Sequence, residues 1–324
     1  MKVVQIVPAV PPAIGGVTGY AEALAGALAG RAGIESRFVS PRAGGLDREL
    51  AGAGTLLLHY ANYGYERRGC PAELVAGLEA WRAGGESRRL VSVFHEVYAS
   101  GPPWRSSFWL SPRQRRLASR LAALSDALLT TLGLYAGLLE QLAPGVRVTV
   151  APVFSTVGEP AVDEMGPRPP VMAVFGGAGA RVRAYGEALP ELAAACRALG
   201  IEEILDLGPD AGAPALVAGL PVRRTGTLPA AEVSRHLLAA RAGFLAYPPG
   251  FLAKSTIFAA YCAHGLAPVC VWKGRGGGTA EAPLWQAAGP GVQEVAAAAR
   301  GWYRGHALDL QVETYRRLLI GDGR

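Results

Sequence analysis

The residues of this sequence best suited to chemistry fall in short loops that follow apolar runs. Pro249-Gly250-Phe251-Leu252-Ala253-Lys254-Ser255-Thr256 brings one of only three lysines, with two hydroxyls, to the predicted start of a helix. Unpaired N–H groups at a helix start, together with an ammonium, suit an anion. The plainer alternative is Ser255 as an N-cap beside a solvated Lys254. The spaced glycines of a P-loop are missing before the lysine. Gly176-Gly177-Ala178-Gly179-Ala180-Arg181-Val182-Arg183 also opens a predicted helix. Glycines there admit a ligand to the backbone, and the arginines suit a pyrophosphate through charge-assisted bonds. Diphosphate-binding roles are therefore expected for Gly177, Arg181, Arg183, Lys254, Ser255 and Thr256.

The first half carries different groups. His95-Glu96 ends an apolar run, and an imidazole beside an acid can bind a substrate or move a proton. It is no HExxH metal site, because Ala99 stands where the second histidine would be. His59-Tyr60-Ala61-Asn62-Tyr63-Gly64-Tyr65 offers stacking faces and hydroxyls to a sugar, with simple packing of the tyrosines as the alternative. Gly15-Gly16-Val17-Thr18-Gly19-Tyr20 combines flexible backbone with the Thr18 hydroxyl, but it is not GxGxxG. Tyr63, Tyr65, Thr18 and Trp104 are the expected sugar or acceptor contacts, and His95 and Glu96 the catalytic candidates.

These groups need strands and helices to hold them. Strands are predicted at Val3–Val7, Ser36–Val39, Thr55–His59, Leu90–Phe94, Ala127–Thr130 and Arg147–Val150, with helices over Tyr20–Leu28, Glu73–Trp81, Pro112–Leu124 and Leu134–Leu142. Alternation with short links implies a parallel, doubly wound sheet. Periodicity lapses in the Gly-, Pro- and acid-rich stretch around 158–170 and then resumes. Strands follow at Val171–Phe175, Ile204–Leu207, Ala242–Ala246 and Ala267–Val271, and helices at Tyr185–Leu199, Ala230–Ala240, Ser255–His264, Val292–Trp302 and Leu308–Leu319. The expected organisation is a Rossmann-like domain over 1–157, a linker over 158–170 and a second Rossmann-like domain over 171–300. A terminal helix is expected in 301–324.

Half of the 324 residues are apolar and 18% are charged, enough for two cores. The alanine and arginine richness fits a GC-rich, bacterial-type source, which explains much of the net +6. Residues 1–150 hold 16 Arg and Lys against 11 Asp and Glu, a net of +5, and the remainder holds 16 against 15. A basic first half leaves peripheral membrane contact open, through the arginines of Pro112–Arg120. No nucleic-acid module is visible. The four cysteines form no CxxC pair, and no Asp-x-Asp motif or metal-ligand spacing appears. Met1–Pro8 is too soon broken by proline for a signal peptide. No run of about 18 apolar residues exists to span a membrane. A cytoplasmic protein without metal or cofactor is expected.

Taken in order, the loops resemble those of the glycosyltransferase family 4 group, with the GT-B fold: two Rossmann-like doubly wound domains facing across a cleft. Gly15 and Gly16 before the Ala-Leu-Ala helix are similar to that family's N-terminal glycine loop, which faces donor phosphate and acceptor. His95 resembles its cleft histidine, and Gly176–Arg183 the loop that holds the donor diphosphate. Gly226-Thr227-Leu228-Pro229, Ala263-His264-Gly265 and Pro268-Val269 also match. The resemblance implies a retaining, metal-independent transfer of a sugar from a nucleotide sugar, itself the substrate, to an acceptor. It makes 1–157 the acceptor-side domain and 171–300 the nucleotide-sugar domain, with the helix in 301–324 crossing back to the first. Members also carry two glutamates eight positions apart, one for the donor sugar and one for the ribose; Leu252 and Ala260 stand there instead. That departure keeps a non-catalytic binding protein of the same fold open. A sugar-nucleotide epimerase is a further alternative, although it needs cleft carboxylates.

Overall fold

Parallel strands buried on both faces read as unbroken apolar runs, and two sets of such runs build two sheets. The structure, a computed structural model, describes residues 1–11, 15–41, 45–85, 87–161, 166–280 and 282–321. Pro12, which closes the first proline run, and residues 162–165 of the expected linker lie outside the described residues. Contacts divide the chain into two units, Met1–Pro152 with Asp309–Arg324, and Val153–Leu308.

The first unit holds β1 (Lys2–Ile6), β2 (Glu35–Val39), β3 (Thr55–Tyr60), β4 (Arg89–Phe94), β5 (Ala127–Thr130) and β6 (Val148–Val150). They form one parallel sheet in the order β2-β1-β3-β4-β5-β6. Alternation along each strand sorts the side chains. Val4, Ile6, Leu58, Tyr60 and Phe94 face a core with the helices Ala72–Ala83 and Ser106–Leu124. On the other face, Tyr20 of the helix Gly16–Ala32 meets the rings of His59 and His95. The last helix, Leu308–Ile320, joins this unit through Tyr315, whose hydroxyl lies 3.0 Å from that of Tyr20. Arg89 also donates to Leu318 O.

The second unit holds β7 (Val171–Phe175), β8 (Glu203–Leu207), β9 (Leu216–Val217), β10 (Leu220–Arg224), β11 (Ala242–Ala246) and β12 (Ala267–Val271). The sheet order is β12-β11-β7-β8-β10-β9, with β9 antiparallel at one edge. Two doubly wound α/β sheets, as expected from sequence, are the observed architecture. Several elements differ from expectation, among them the short helices Leu46–Glu49 and Asn62–Tyr65, which were not expected. The β9–β10 pair was hidden by Pro221 and two arginines; Pro221 lies opposite Leu216 of the edge strand β9, ahead of the β10–β8 pairing that begins at Val222. The stretch expected as one helix, Tyr185–Leu199, is two, Ala178–Tyr185 and Leu189–Ala198, broken at Gly186. Pro112 lies inside the helix Ser106–Leu124 instead of starting it.

His264 closes the second core: its Nδ1–H donates to Ala260 O and its Nε2 accepts from the Ser234 hydroxyl, both at 2.8 Å. Burial lowers its pKa from 6.5 to about 4, and burial lowers that of His306 similarly. An unfolded histidine gains its proton below pH 6.5, whereas folded His264 stays neutral until about pH 4. Its contribution is therefore complete above pH 6.5 and lost as pH falls towards 4, at up to about 1.4 kcal/mol per pH unit. Urea unfolding of the second unit between about pH 7 and 5 should give falling stability, with a shallower slope in His264→Gln.

Candidate functional site

Ligands of open α/β sheets bind beyond the carboxyl ends of the strands where the strand order reverses. In the second unit that point lies between β7 and β11. The two strands pair only at Ala242–Met172 and Gly243–Ala173, while β11 stays paired to β12 as far as Ala246. Beyond Gly243 the gap is filled by the buried Tyr261. Its hydroxyl accepts from Phe175 N (2.9 Å) and lies within donating reach of Phe244 O (3.1 Å) and Ala173 O (3.2 Å). A Cβ at position 243 would stand 2.5 Å from the Tyr261 ring, so only glycine admits it. Burial raises the phenol's pKa well above its usual value, keeping the proton on this strut.

Two helix starts meet over this parted pair. Gly177 caps the helix Ala178–Tyr185, and Ser255 caps Thr256–Ala263 by accepting from Phe258 N at 3.2 Å. Gly176, at φ +130°, packs on the second helix: a Cβ there would lie 2.4 Å from Ile257 Cδ1. Arg183 reaches across to Ala246 O (3.4 Å), and Lys254 ends the 3-10 turn Pro249–Lys254. Gly177, Arg183, Lys254, Ser255 and Thr256 thus collect at one end of β7 and β11, around two positive helix ends.

Arg181 does not belong to this group. Its side chain is fully buried, pairs with Asp206 at 2.6 Å and donates to Gly176 O at 3.0 Å. Tyr185 completes the cluster by donating to Asp206 Oδ1. A guanidinium spent on a buried carboxylate cannot also hold a diphosphate, so its role is to tie the β7 loop to β8. Asp206 is the residue that sequence reading missed; an acid inside the run Ile204–Leu207 was the available signal, because a buried charge demands a partner.

In the first unit the reversal lies between β2-β1 and β3. Here a buried polar chain crosses the sheet. Gln5 Nε2 donates to Ser36 Oγ (2.8 Å), Gln5 Oε1 lies 2.8 Å from His59 Nε2, and His59 Nδ1 lies 3.2 Å from His95 Nε2. With the amide so oriented, His59 carries its proton on Nε2, and its Nδ1 accepts from His95 Nε2–H. Burial, then the neighbouring His95, lowers the His59 pKa well below 6.5, which keeps that ring neutral. Gln5 and His59 went unrecognised in sequence, although each is a lone polar residue in an apolar strand.

The other first-unit candidates are spread out. Glu96 is half-buried and, after burial itself, its charge helps push the Tyr135 phenol up to about 12. The Tyr65 hydroxyl lies between Ile6 O (3.0 Å) and His59 O (2.9 Å), a brace between β1 and β3 and not a ligand contact. Thr18 is buried and donates to Ala9 O, so its hydroxyl proton is likewise committed. Tyr63 is partly exposed and accepts from Gln114 Nε2, while Trp104 stands in solvent before the helix Ser106–Leu124. Gly15 and Gly16 are not a loose loop but the cap and first residue of the helix Gly16–Ala32, both exposed. Among the described residues no cluster of three metal-ligating side chains occurs, and no helix is long and apolar enough to cross a membrane.

Solved structures share this architecture. An alpha-glucosyltransferase (AGT) in complex with UDP superimposes with a TM-score of 0.53 at 10% identity, covering 98% of this chain and 94% of that one. An alpha-glucosyltransferase with UDP-glucose and DNA containing an abasic site gives 0.53 at 11%, with the same coverage. CalG4, the calicheamicin glycosyltransferase, gives 0.50 at 12%, over 100% of this chain and 99% of its own. The chain has the GT-B fold. No family model and no curated protein matches the sequence.

Removing one partner of a buried pair strands the other's charge. Arg181→Ala should therefore destabilise the second unit by about 3–5 kcal/mol, read as a lower urea midpoint. An Arg181 that instead served an anion would leave the midpoint unchanged.

Proposed function

We propose that this chain is a glycosyltransferase of hexosyl type that takes its sugar from a nucleotide donor bound to the second unit. The observation that carries the reading is the paired helix start at the parted β7–β11 ends, with Arg183 and Lys254 beside it. The alpha-glucosyltransferases of like fold in complex with UDP and with UDP-glucose support a nucleotide diphosphate as its occupant.

In the reaction, the bond from the anomeric carbon to the diphosphate oxygen breaks as the acceptor oxygen bonds to that carbon, and the acceptor proton leaves. The departing diphosphate gains negative charge. Arg183, Lys254 and the N–H groups at Gly177 and Thr256 would stabilise it without reorganising, and no metal is needed for that task. In the first unit His95, bonded to His59 at 3.2 Å, remains the candidate for proton transfer, with Glu96 as the weaker one. The resemblance to family 4 favours retention at the anomeric carbon, and a cytoplasmic location suits a soluble nucleotide donor.

One observation favours a binding protein on the same scaffold. Leu252 and Ala260, at the family's glutamate positions, are both buried and apolar, so neither sugar nor ribose is met there by a carboxylate.

Calorimetric titration with UDP, GDP, ADP and dTDP sugars separates the readings. One nucleotide should bind, and an Arg183→Ala, Lys254→Ala double variant should weaken it at least tenfold, since charge-assisted bonds contribute about 1.5–3 kcal/mol each. Folded protein that binds none of the four sinks the transferase and leaves the binding scaffold.

A further inference from the structure

The helix Ser106–Leu124 gives the first unit a surface that neither its core nor sugar transfer uses. Gln114, Leu117, Ala118, Leu121 and Ala122 face inward. Outward, Trp104 is 83% exposed, Trp109 71% and Phe108 43%. Isolated apolar side chains on a surface mean little, but three large aromatics within six residues form a patch. They are held outward: Trp109 Nε1 donates to Pro103 O at 2.8 Å, and the Phe108 and Trp109 rings meet edge to face at 5.3 Å.

The charge beside this patch has one sign. Residues 97–125 contain Arg105, Arg113, Arg115, Arg116 and Arg120 and no acid at all. Glu79 engages Arg120 through two hydrogen bonds. Glu66, whose charge acts with that of Arg113, is already satisfied by the N–H groups of Arg68 and Cys70, each at 3.0 Å. The exposed Arg113, Arg115 and Arg116 keep their charge for a partner. A groove of about 920 Å³ runs along the same helix, lined by Tyr98, Phe108, Trp109, Arg115 and Arg116.

We infer that this face docks on an anionic lipid bilayer. Trp104, Phe108 and Trp109 enter the headgroup layer, where indole rings are favoured, and Arg113, Arg115 and Arg116 meet the lipid phosphates. The arrangement favours a bilayer over a nucleic acid. On a single strand, stacking and phosphate contacts alternate along the groove. Here the aromatics cluster at the helix start and the arginines run along the following turns, an insertion end and a phosphate-facing stripe. The inference is independent of sugar transfer.

The test is co-sedimentation and tryptophan emission of the whole protein. It uses vesicles of phosphatidylcholine alone, vesicles containing phosphatidylglycerol, and single-stranded and duplex DNA. Binding to the phosphatidylglycerol vesicles with a blue-shifted emission that weakens with salt is expected, with little binding to phosphatidylcholine. Trp104→Ser with Trp109→Ser should abolish both binding and shift. Arg115→Gln with Arg116→Gln should weaken binding roughly 25-fold, about fivefold per arginine. All four side chains are on the surface, so unchanged melting temperatures would establish that the variants fold. Absence of binding to anionic vesicles, variants that bind like the parent, or binding to DNA but not to vesicles would each overturn the assignment.

Discussion

Where the order of a parallel sheet reverses, two neighbouring strands send their chains to opposite faces, and the backbone groups at their ends lose sheet partners. Both units meet this constraint with a tyrosine. Tyr65 braces Ile6 O and His59 O across β1 and β3; Tyr261 serves Phe175 N, Ala173 O and Phe244 O across β7 and β11. A buried backbone group left unpaired costs about 1–3 kcal/mol, so these hydroxyls are what allow the strands to part. The opening made by Tyr261 is the one over which the helix starts at Gly177 and Ser255 converge.

The same dryness governs the polar interior. Helices cover both faces of each sheet, so a polar side chain inside a strand has no water to turn to. Asp206 finds Arg181 and Tyr185; Gln5 finds Ser36 and His59; His59 finds His95. The second chain reaches His95 just past the end of β4, where the bond to His59 places a proton on its Nε2. A structural necessity thereby sets the chemistry of the histidine proposed to meet substrate.

Residues that hold the loops turn their polar atoms into the sheet, whereas the residues proposed to bind ligand lie along its carboxyl end. Arg181 and Arg183 lie two positions apart on one helix, yet the first points into the sheet at Asp206 and the second along its end at Ala246. Thr18 and Tyr65 show the same in the first unit, where hydroxyls that suit a sugar by type are taken by Ala9 O and by the strand carbonyls. Side-chain type sets what a residue can bind; direction sets whether it does.

Ten of the twelve strands were legible: eight as largely apolar runs, as burial on both faces requires, and the edge strands β2 and β6 as short mixed segments between helices. The two halves, the glycine-marked helix starts and the grouping of Lys254, Ser255 and Thr256 were equally legible, since each depends on neighbours in sequence. The β9–β10 edge was not, because edge strands escape the composition rule. The partnerships Arg181–Asp206, His59–His95 and Tyr20–Tyr315 join residues 25, 36 and 295 positions apart. No local pattern encodes which buried polar group will face which; only the sheet order and the helix packing bring them within bonding distance.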